Sequence, residues 1–255
     1  MTPAPPRSGK IPAASGAPPL ELGARRCWFF TDLHLRAGEP REVQAFVGTL
    51  SHAPADLECL VIMGDLFDAW VGPAQWKEPA FQPLAAALVR LGRQGVRVVL
   101  LRGNRDVLLE PGDGARVGAE VADGVLLETA GGKILVTHGD EYCLRDAPYQ
   151  RLRRWFRRRW VRGLIRVLPY ALRRWCAARM RAASRQAVAR KPLDVLALEV
   201  GAIPAALEAQ GAVQALIGHL HVARETALEG GKSLRILPAW SPETLPVEKG
   251  GGAQG

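Results

Sequence analysis

The sequence predicts an α/β fold whose regular alternation is interrupted by a separate helical segment. Three observations carry this. Short apolar runs ending in polar clusters recur along the first half of the chain. Stretches with helical apolar spacing lie between them. One segment of the second half is so rich in arginine that it stands apart from everything around it.

The runs CWFFT (27–31), CLVIM (59–63), VRVVLL (96–101) and KILVT (133–137) read as buried strands, being short, continuous and rich in branched residues. Residues 42–50 and 79–94 have helical spacing, and Gly95 offers a stop for the second. AVQALIG (212–218), ARETAL (223–228) and SLRILPAW (233–240) read as closing strands after a short helix over 204–210. Such alternation places polar residues just beyond the strand ends, where open sheets build their sites.

The chain has 255 residues, enough for one core with an insertion, and its 48% hydrophobic and 23% charged content is that of a soluble globular enzyme. Residues 1–24 and 246–255 are expected to be disordered tails. The first is Pro/Ala/Gly-rich and has no apolar stretch that would make a secretory signal. No run of apolar residues is long enough to span a bilayer. Cys27, Cys59, Cys143 and Cys176 are scattered and form no CxxC pair, which argues against a zinc knuckle or a disulfide framework and for a reducing compartment.

The net charge of +9 is unevenly spread. From Arg145 to Lys191, 15 Arg and 1 Lys face a single acid, Asp146, so these 47 residues carry +15 and the rest of the chain −6. A segment so basic calls for an anionic partner. It reads as helices, with Leu152, Trp155, Phe156, Trp160, Leu164 and Leu168 at three- and four-residue steps, a break at Pro169 and a second helix over 170–189. Residues 145–191 are therefore expected to form a cap inserted into a core made of 25–144 and 192–245. One reading packs the apolar stripe on that core with the arginines in solvent. A second lays the segment on anionic lipid. A third uses the stripe as a slot for acyl chains. Nucleic acid also fits the charge but fits the stripe less well, and no known nucleic-acid-binding motif is present.

Five short motifs follow strand-like runs: Asp32-Leu33-His34, Gly64-Asp65, Gly103-Asn104-Arg105-Asp106, His138-Gly139-Asp140 and Gly218-His219-Leu220-His221. Each alone is weak, since GD and GN are ordinary turns and a single His is usually a core residue. Together they collect four of the five histidines, leaving His52 as a surface residue. Carboxylate, imidazole and amide ligands suit Mn²⁺, Fe²⁺, Zn²⁺ or Mg²⁺, and two such ions clamp a phosphoryl group.

This order of motifs resembles the calcineurin-like metallophosphoesterase superfamily, whose pattern is DxH, GD, GN(H/R), H and GHxH. The resemblance implies a β-sandwich flanked by helices. It also implies two metal sites: Asp32, His34, Asp65 and His221 would hold one ion, and Asp65, Asn104, His138 and His219 the other. Asp65 would bridge, because a carboxylate has two oxygens. Asp65, Asn104, Arg105 and His138 would then carry the catalysis. Many members have His where this chain has Arg105. Arginine does not give up its proton, yet it forks onto phosphate oxygens, so it favours a pyrophosphate bond over an alkyl ester. A purely structural Arg105, paired with Asp106, is the alternative.

The longer strings TDLHL (31–35), MGDLFDAWVG (63–72), RGNRDVLL (102–109), HGDEYCLRDAPYQRLR (138–153) and RMRAASRQAVARK (179–191) resemble the UDP-2,3-diacylglucosamine diphosphatase family, over about residues 27–240. That resemblance implies a lipid-nucleotide substrate, cleavage to UMP and 2,3-diacylglucosamine 1-phosphate, and Mn²⁺ as the ion. It also implies a peripheral place for a monomer on the anionic cytoplasmic face of a bacterial inner membrane. Asn104, Arg105, Asp146, Tyr149, Arg181, Ser184, Lys191 and His219 would contact the substrate. Ala187 stands where the family often has Asn, and GHLHVAR replaces GHTHRP, which alters local contacts at Leu220 and Val222. A nuclease, a phosphoprotein phosphatase, or a non-catalytic membrane or nucleic-acid binder are the alternatives.

Overall fold

The computed structural model describes residues 18–189, 191–192, 195, 197–244 and 246–250. Eleven strands among them form two sheets: β1 (Leu20–Gly23), β2 (Arg26–Phe30), β3 (Cys59–Ile62), β4 (Arg97–Leu101), β5 (Ala119–Ala122), β6 (Gly124–Thr129), β7 (Gly132–Thr137), β8 (Ala212–Ile217), β9 (Arg224–Ala227), β10 (Ser233–Ile236) and β11 (Val247–Gly250). One sheet has the order β1-β6-β7-β8-β10-β9 and the other β11-β2-β3-β4-β5. The run from β2 to β5 is parallel throughout.

Period-two alternation assembles the layers. Cys27, Phe29, Val61, Val99 and Leu101 point inward to meet Val125, Leu127, Val136 and Leu216 of the other sheet. Trp28, Phe30, Leu60, Ile62, Val98 and Leu100 point outward. Helices α1 (Pro40–Ser51) and α2 (Gln82–Arg93) cover that outer face with Val43, Phe46, Leu50, Leu84, Leu88 and Leu91. The six-stranded sheet turns Leu126, Leu135, Ala215 and Ile217 outward. Ile203 and Leu207 cover them from a helix over Ile203–Ala209. The result is a β-sandwich flanked by helices, as the resemblance implies.

The expected strands and helices are present with ends moved by a few residues. Four strands and one helical turn escaped the sequence: β1, β5, β6, β11 and α3 (Pro111–Gly114). Both expected tails need correction. Leu20–Gly23 joins the six-stranded sheet beside β6, with Leu22 buried. Val247–Gly250 pairs antiparallel with β2, where Glu248 accepts the Trp28 indole N–H at 2.7 Å. Residues 1–17 and 251–255 lie outside the described part.

The basic segment forms α4 (Ala147–Phe156), α5 (Arg159–Val167) and α6 (Tyr170–Ala189), with the Ile203–Ala209 helix following as α7. All lie between β7 and β8, which are parallel neighbours. The chain also breaks at Arg158, whose extended ψ of 127° separates α4 from α5. The reading that packed the apolar stripe on the core with the arginines in solvent holds only in part: Phe156, Ile165 and Tyr170 are half-buried, but Leu152, Trp155, Trp160 and Leu164 are exposed, and arginines take much of the inner side. Arg153 pairs with Asp140, Arg157 with Asp123, Arg162 with Glu110, Arg166 with Asp113 and Arg174 with Glu78. Much of the anionic partner that the charge called for is thus the acidic body itself. Trp160 and Leu164 are left 59% exposed and Val167 76%.

Candidate metal centre

The site stands where five loops leave β2, β3, β4, β7 and β8. Its backbone is unusual. Among the described residues, the non-glycine positions with positive φ are Asp32, His34, Asp65, His219 and His221. All five are expected metal ligands. An L-residue there costs roughly 1–3 kcal/mol, and such strain persists only where the surroundings impose it. Two glycines make room for the carboxylates. A Cβ on Gly103 would stand 2.1 Å from Asp65 Oδ1, and one on Gly218 would stand 2.8 Å from Asp32 Oδ2.

The backbone also fixes the orientation of each side chain. Asp32 Oδ2 accepts from Thr31 Oγ1 at 2.7 Å and from the His219 amide at 2.8 Å. Its Oδ1 is buried without a hydrogen-bond partner, and His221 Nε2 lies 3.3 Å away. The His34 Nε2 and His221 Nε2 atoms are 3.2 Å apart. His138 Nδ1 lies 2.9 Å from the Met63 carbonyl, which makes it the protonated nitrogen and frees Nε2 for the site. That Nε2 is 3.1 Å from Asn104 Oδ1, 3.2 Å from His219 Nδ1 and 3.7 Å from Asp65 Oδ1. Asp65 Oδ2, the other oxygen, is 3.7 Å from His34 Nδ1. Asp65 therefore faces both halves of the cluster, one oxygen to each.

Ligand atoms of Asp32, His34 and His221 lie within 4.8 Å of one another, as do those of Asp32, Asp65 and His138. The cluster is mostly acceptors turned toward acceptors, with Asp32 Oδ1 and His34 Nδ1 orphaned. Protons or cations must fill it, and the donor set fits divalent ions. The protonation balance agrees. Burial and the charge of Arg105 lower His34 to about 3, and burial and His138 lower His219 to about 4, so both are neutral near pH 7. Burial pushes Asp65 up to about 8. His138 is held up at about 9, because Asp65, Asp32 and Asp140 outweigh its burial. These two groups retain protons that a bound cation would displace.

Arg105 does not pair with Asp106. Its Nη1 donates to Asp68 Oδ1 at 2.9 Å, and its Nε lies 3.3 Å from Asp65 Oδ2, off the line of a hydrogen bond. Asp106 instead accepts the Gly103 and Leu66 amides at 2.6 and 2.9 Å, clamping two site loops together. The other expected substrate residues are only partly gathered. Asp146 caps α4 by accepting the Tyr149 amide at 3.2 Å, and it pairs with Lys191. The Tyr149 hydroxyl donates to Asp140. Arg181 reaches Asp68 at 3.0 Å. Ser184 and Ala187 are exposed on α6, and Val222 is 58% exposed beside His221. Sequence reasoning gave no role to Asp68 or Asp140. Their spacing within GDLFD and HGD was the available signal.

No family model matches the chain. A UDP-2,3-diacylglucosamine hydrolase of Ralstonia nicotianae is 36% identical over 223 residues, covering 84% of this chain and 83% of the relative. The chain belongs to the UDP-2,3-diacylglucosamine hydrolase family. A second member, from Pseudomonas paraeruginosa, is 35% identical over 225 residues, covering 86% of this chain and 93% of its own length. A third, from Sodalis glossinidius, is 32% identical over 221 residues, with 86% and 92% covered. Solved structures resemble the chain more remotely. Vacuolar Protein Sorting 29 from Cryptosporidium parvum gives a TM-score of 0.41 at 11% identity, covering 84% of this chain and 74% of that one. A dimetal phosphatase from Danio rerio gives 0.41 at 11%, covering 88% and 91%.

Proposed function

We propose that the chain hydrolyses the pyrophosphate bond of UDP-2,3-diacylglucosamine to UMP and 2,3-diacylglucosamine 1-phosphate. The observation that carries this is Arg105, seated 3.3 Å from Asp65 where many metallophosphoesterases have an acid. Membership of the hydrolase family supports the substrate. Asp32, His34, Asp65 and His221 would hold one divalent ion, and Asp65, Asn104, His138 and His219 a second, with Mn²⁺ as the proposed native metal. When bound, two such ions polarise the phosphoryl group and generate hydroxide near neutral pH.

The chain's own residues supply the rest. Asp65 fixes the spacing of the halves through its two oxygens. Arg105 keeps its charge and neutralises the phosphoryl oxygens as negative charge develops. The leaving group is a phosphate, which departs without a proton, so a guanidinium serves where an alkoxide would need an acid. His138 is oriented by the Met63 carbonyl and His219 is held neutral by burial.

Residues 145–191 act as a cap over this site, contacting the head groups through Asp146, Tyr149, Arg181, Ser184 and Lys191. Leu152, Trp155, Trp160, Leu164 and Val167 are exposed on it. Arg151, Arg154, Arg158 and Arg159 are exposed too and form no ion pair among the described residues. Apolar and cationic groups on one surface suit the anionic cytoplasmic face of an inner membrane, where a monomer would meet its diacyl substrate. No described helix is long and apolar enough to cross a membrane. The test is a substrate panel of UDP-2,3-diacylglucosamine, single-stranded DNA and a phosphopeptide. Preferred cleavage of the lipid nucleotide is expected, and preference for either other substrate would overturn the proposal.

A further inference from the structure

Asp68 lies three residues beyond Asp65 on the loop after β3 and takes no part in the expected ligand set. A single oxygen, Oδ1, accepts Arg105 Nη1 at 2.9 Å and Arg181 Nη2 at 3.0 Å, with Arg181 Nε at 3.3 Å. Arg105 comes from the loop after β4 and Arg181 from the middle of α6. One carboxylate thus joins a loop of the metal centre to the cap. Two guanidiniums at this distance repel, and without a shared anion they would splay toward solvent. Held by Asp68, both still have unused N–H groups. Asp68 also lines a cleft of about 310 Å³ between α6 and the body, with Arg36, Arg174 and Arg185 on its walls.

We propose that Asp68 is a positioning residue that holds Arg105 and Arg181 as a paired guanidinium cradle for the phosphate oxygens of the substrate. This rests on the pyrophosphate reading given above and adds to it what aligns the two arginines. A neighbouring side chain that merely anchored the cap would give a different pattern. Arg166, which pairs with Asp113 beneath α5, anchors the cap without touching this cradle.

The test compares Asp68→Asn, Asp68→Glu, Arg181→Ala, the Asp68→Asn/Arg181→Ala double variant and Arg166→Ala, all metal-loaded. Removing the shared carboxylate loosens both arginines, so KM rises about tenfold as the ground-state hold on phosphate weakens, and kcat falls about tenfold because Arg105 meets the charge that develops in the transition state. Asp68→Glu recovers part of this. Residues acting as one unit are non-additive, so the double variant is no worse than about twofold beyond the poorer single variant. Affinity for inorganic pyrophosphate, read by calorimetry, falls in the same proportion as KM rises. Arg166→Ala lowers the melting temperature but leaves KM and pyrophosphate affinity unchanged. Unchanged KM and pyrophosphate affinity in Asp68→Asn, or fully additive losses in the double variant, overturn the cradle and leave the substrate reading intact. A wild-type protein inert toward UDP-2,3-diacylglucosamine, yet binding pyrophosphate in an Asp68-dependent way, overturns the substrate reading and supports the cradle.

Discussion

Gly103→Ala adds one methyl group at the point where the loop after β4 presses against Asp65. The new Cβ would stand 2.1 Å from Asp65 Oδ1 and 2.6 Å from the Asp65 amide nitrogen, where ordinary contact begins at 3.4 Å. The carboxylate must retreat by about 1.3 Å, the difference between those oxygen distances. It cannot swing freely, since Oδ1 also accepts the Arg105 amide at 2.9 Å and the side chain is buried. Overpacking of this kind costs about 1–3 kcal/mol of stability, which a folded domain survives. A displacement near 1 Å in a site costs on the order of 100-fold in rate. We expect Gly103→Ala to fold, to lose about 100-fold in turnover and to hold its metals at least about tenfold more weakly. Circular dichroism checks the fold, calorimetric titration with Mn²⁺ the affinity, and UMP release the rate. A variant with wild-type metal affinity and turnover would refute the packing of Gly103 on Asp65.

Asp65→Ala should abolish turnover and halve bound metal by elemental analysis, while Arg105→Ala should keep its metal and lose activity less completely. Arg166→Ala strips the bidentate partner from Asp113, which keeps only the Trp70 and Glu110 N–H groups. Its cost should be about 2 kcal/mol, below the ~3–5 of a fully buried pair because the Arg166 side chain is 32% exposed, and melting should fall by about 4–8 °C. The Trp155→Ser/Trp160→Ser pair should leave the melting temperature within about 2 °C, since both rings are exposed, and should weaken sedimentation with anionic vesicles at least about fivefold.

The strands were legible because β2, β3 and β4 are buried on both faces and so read as continuous apolar runs. β1 and β11 were not, because LELG and VEKG are too short and polar to signal pairing that only a sheet edge supplies. The expected ligands were legible as types and spacings, whereas the positive φ at Asp32, His34, Asp65, His219 and His221 follows from loops converging in space. Adjacency along the chain suggested Asp106 as the partner of Arg105, but the loop turns Asp106 onto backbone amides and offers Asp68 instead. The orientation of the cap was hidden for a related reason. Arg153 and Arg157, then Arg162 and Arg166, repeat at one-turn spacing, but the acids they meet are scattered from Glu110 to Asp140 and come together only in the fold.

The most direct measurement is UMP release from UDP-2,3-diacylglucosamine by the purified protein, after chelation and after Mn²⁺ is restored. The expected result is loss of release on chelation, recovery with Mn²⁺, and neither recovery nor full metal content in Asp65→Ala. Release that persists in the chelated protein, or a chain that cleaves this substrate equally well without Asp65, would contradict the two-metal account.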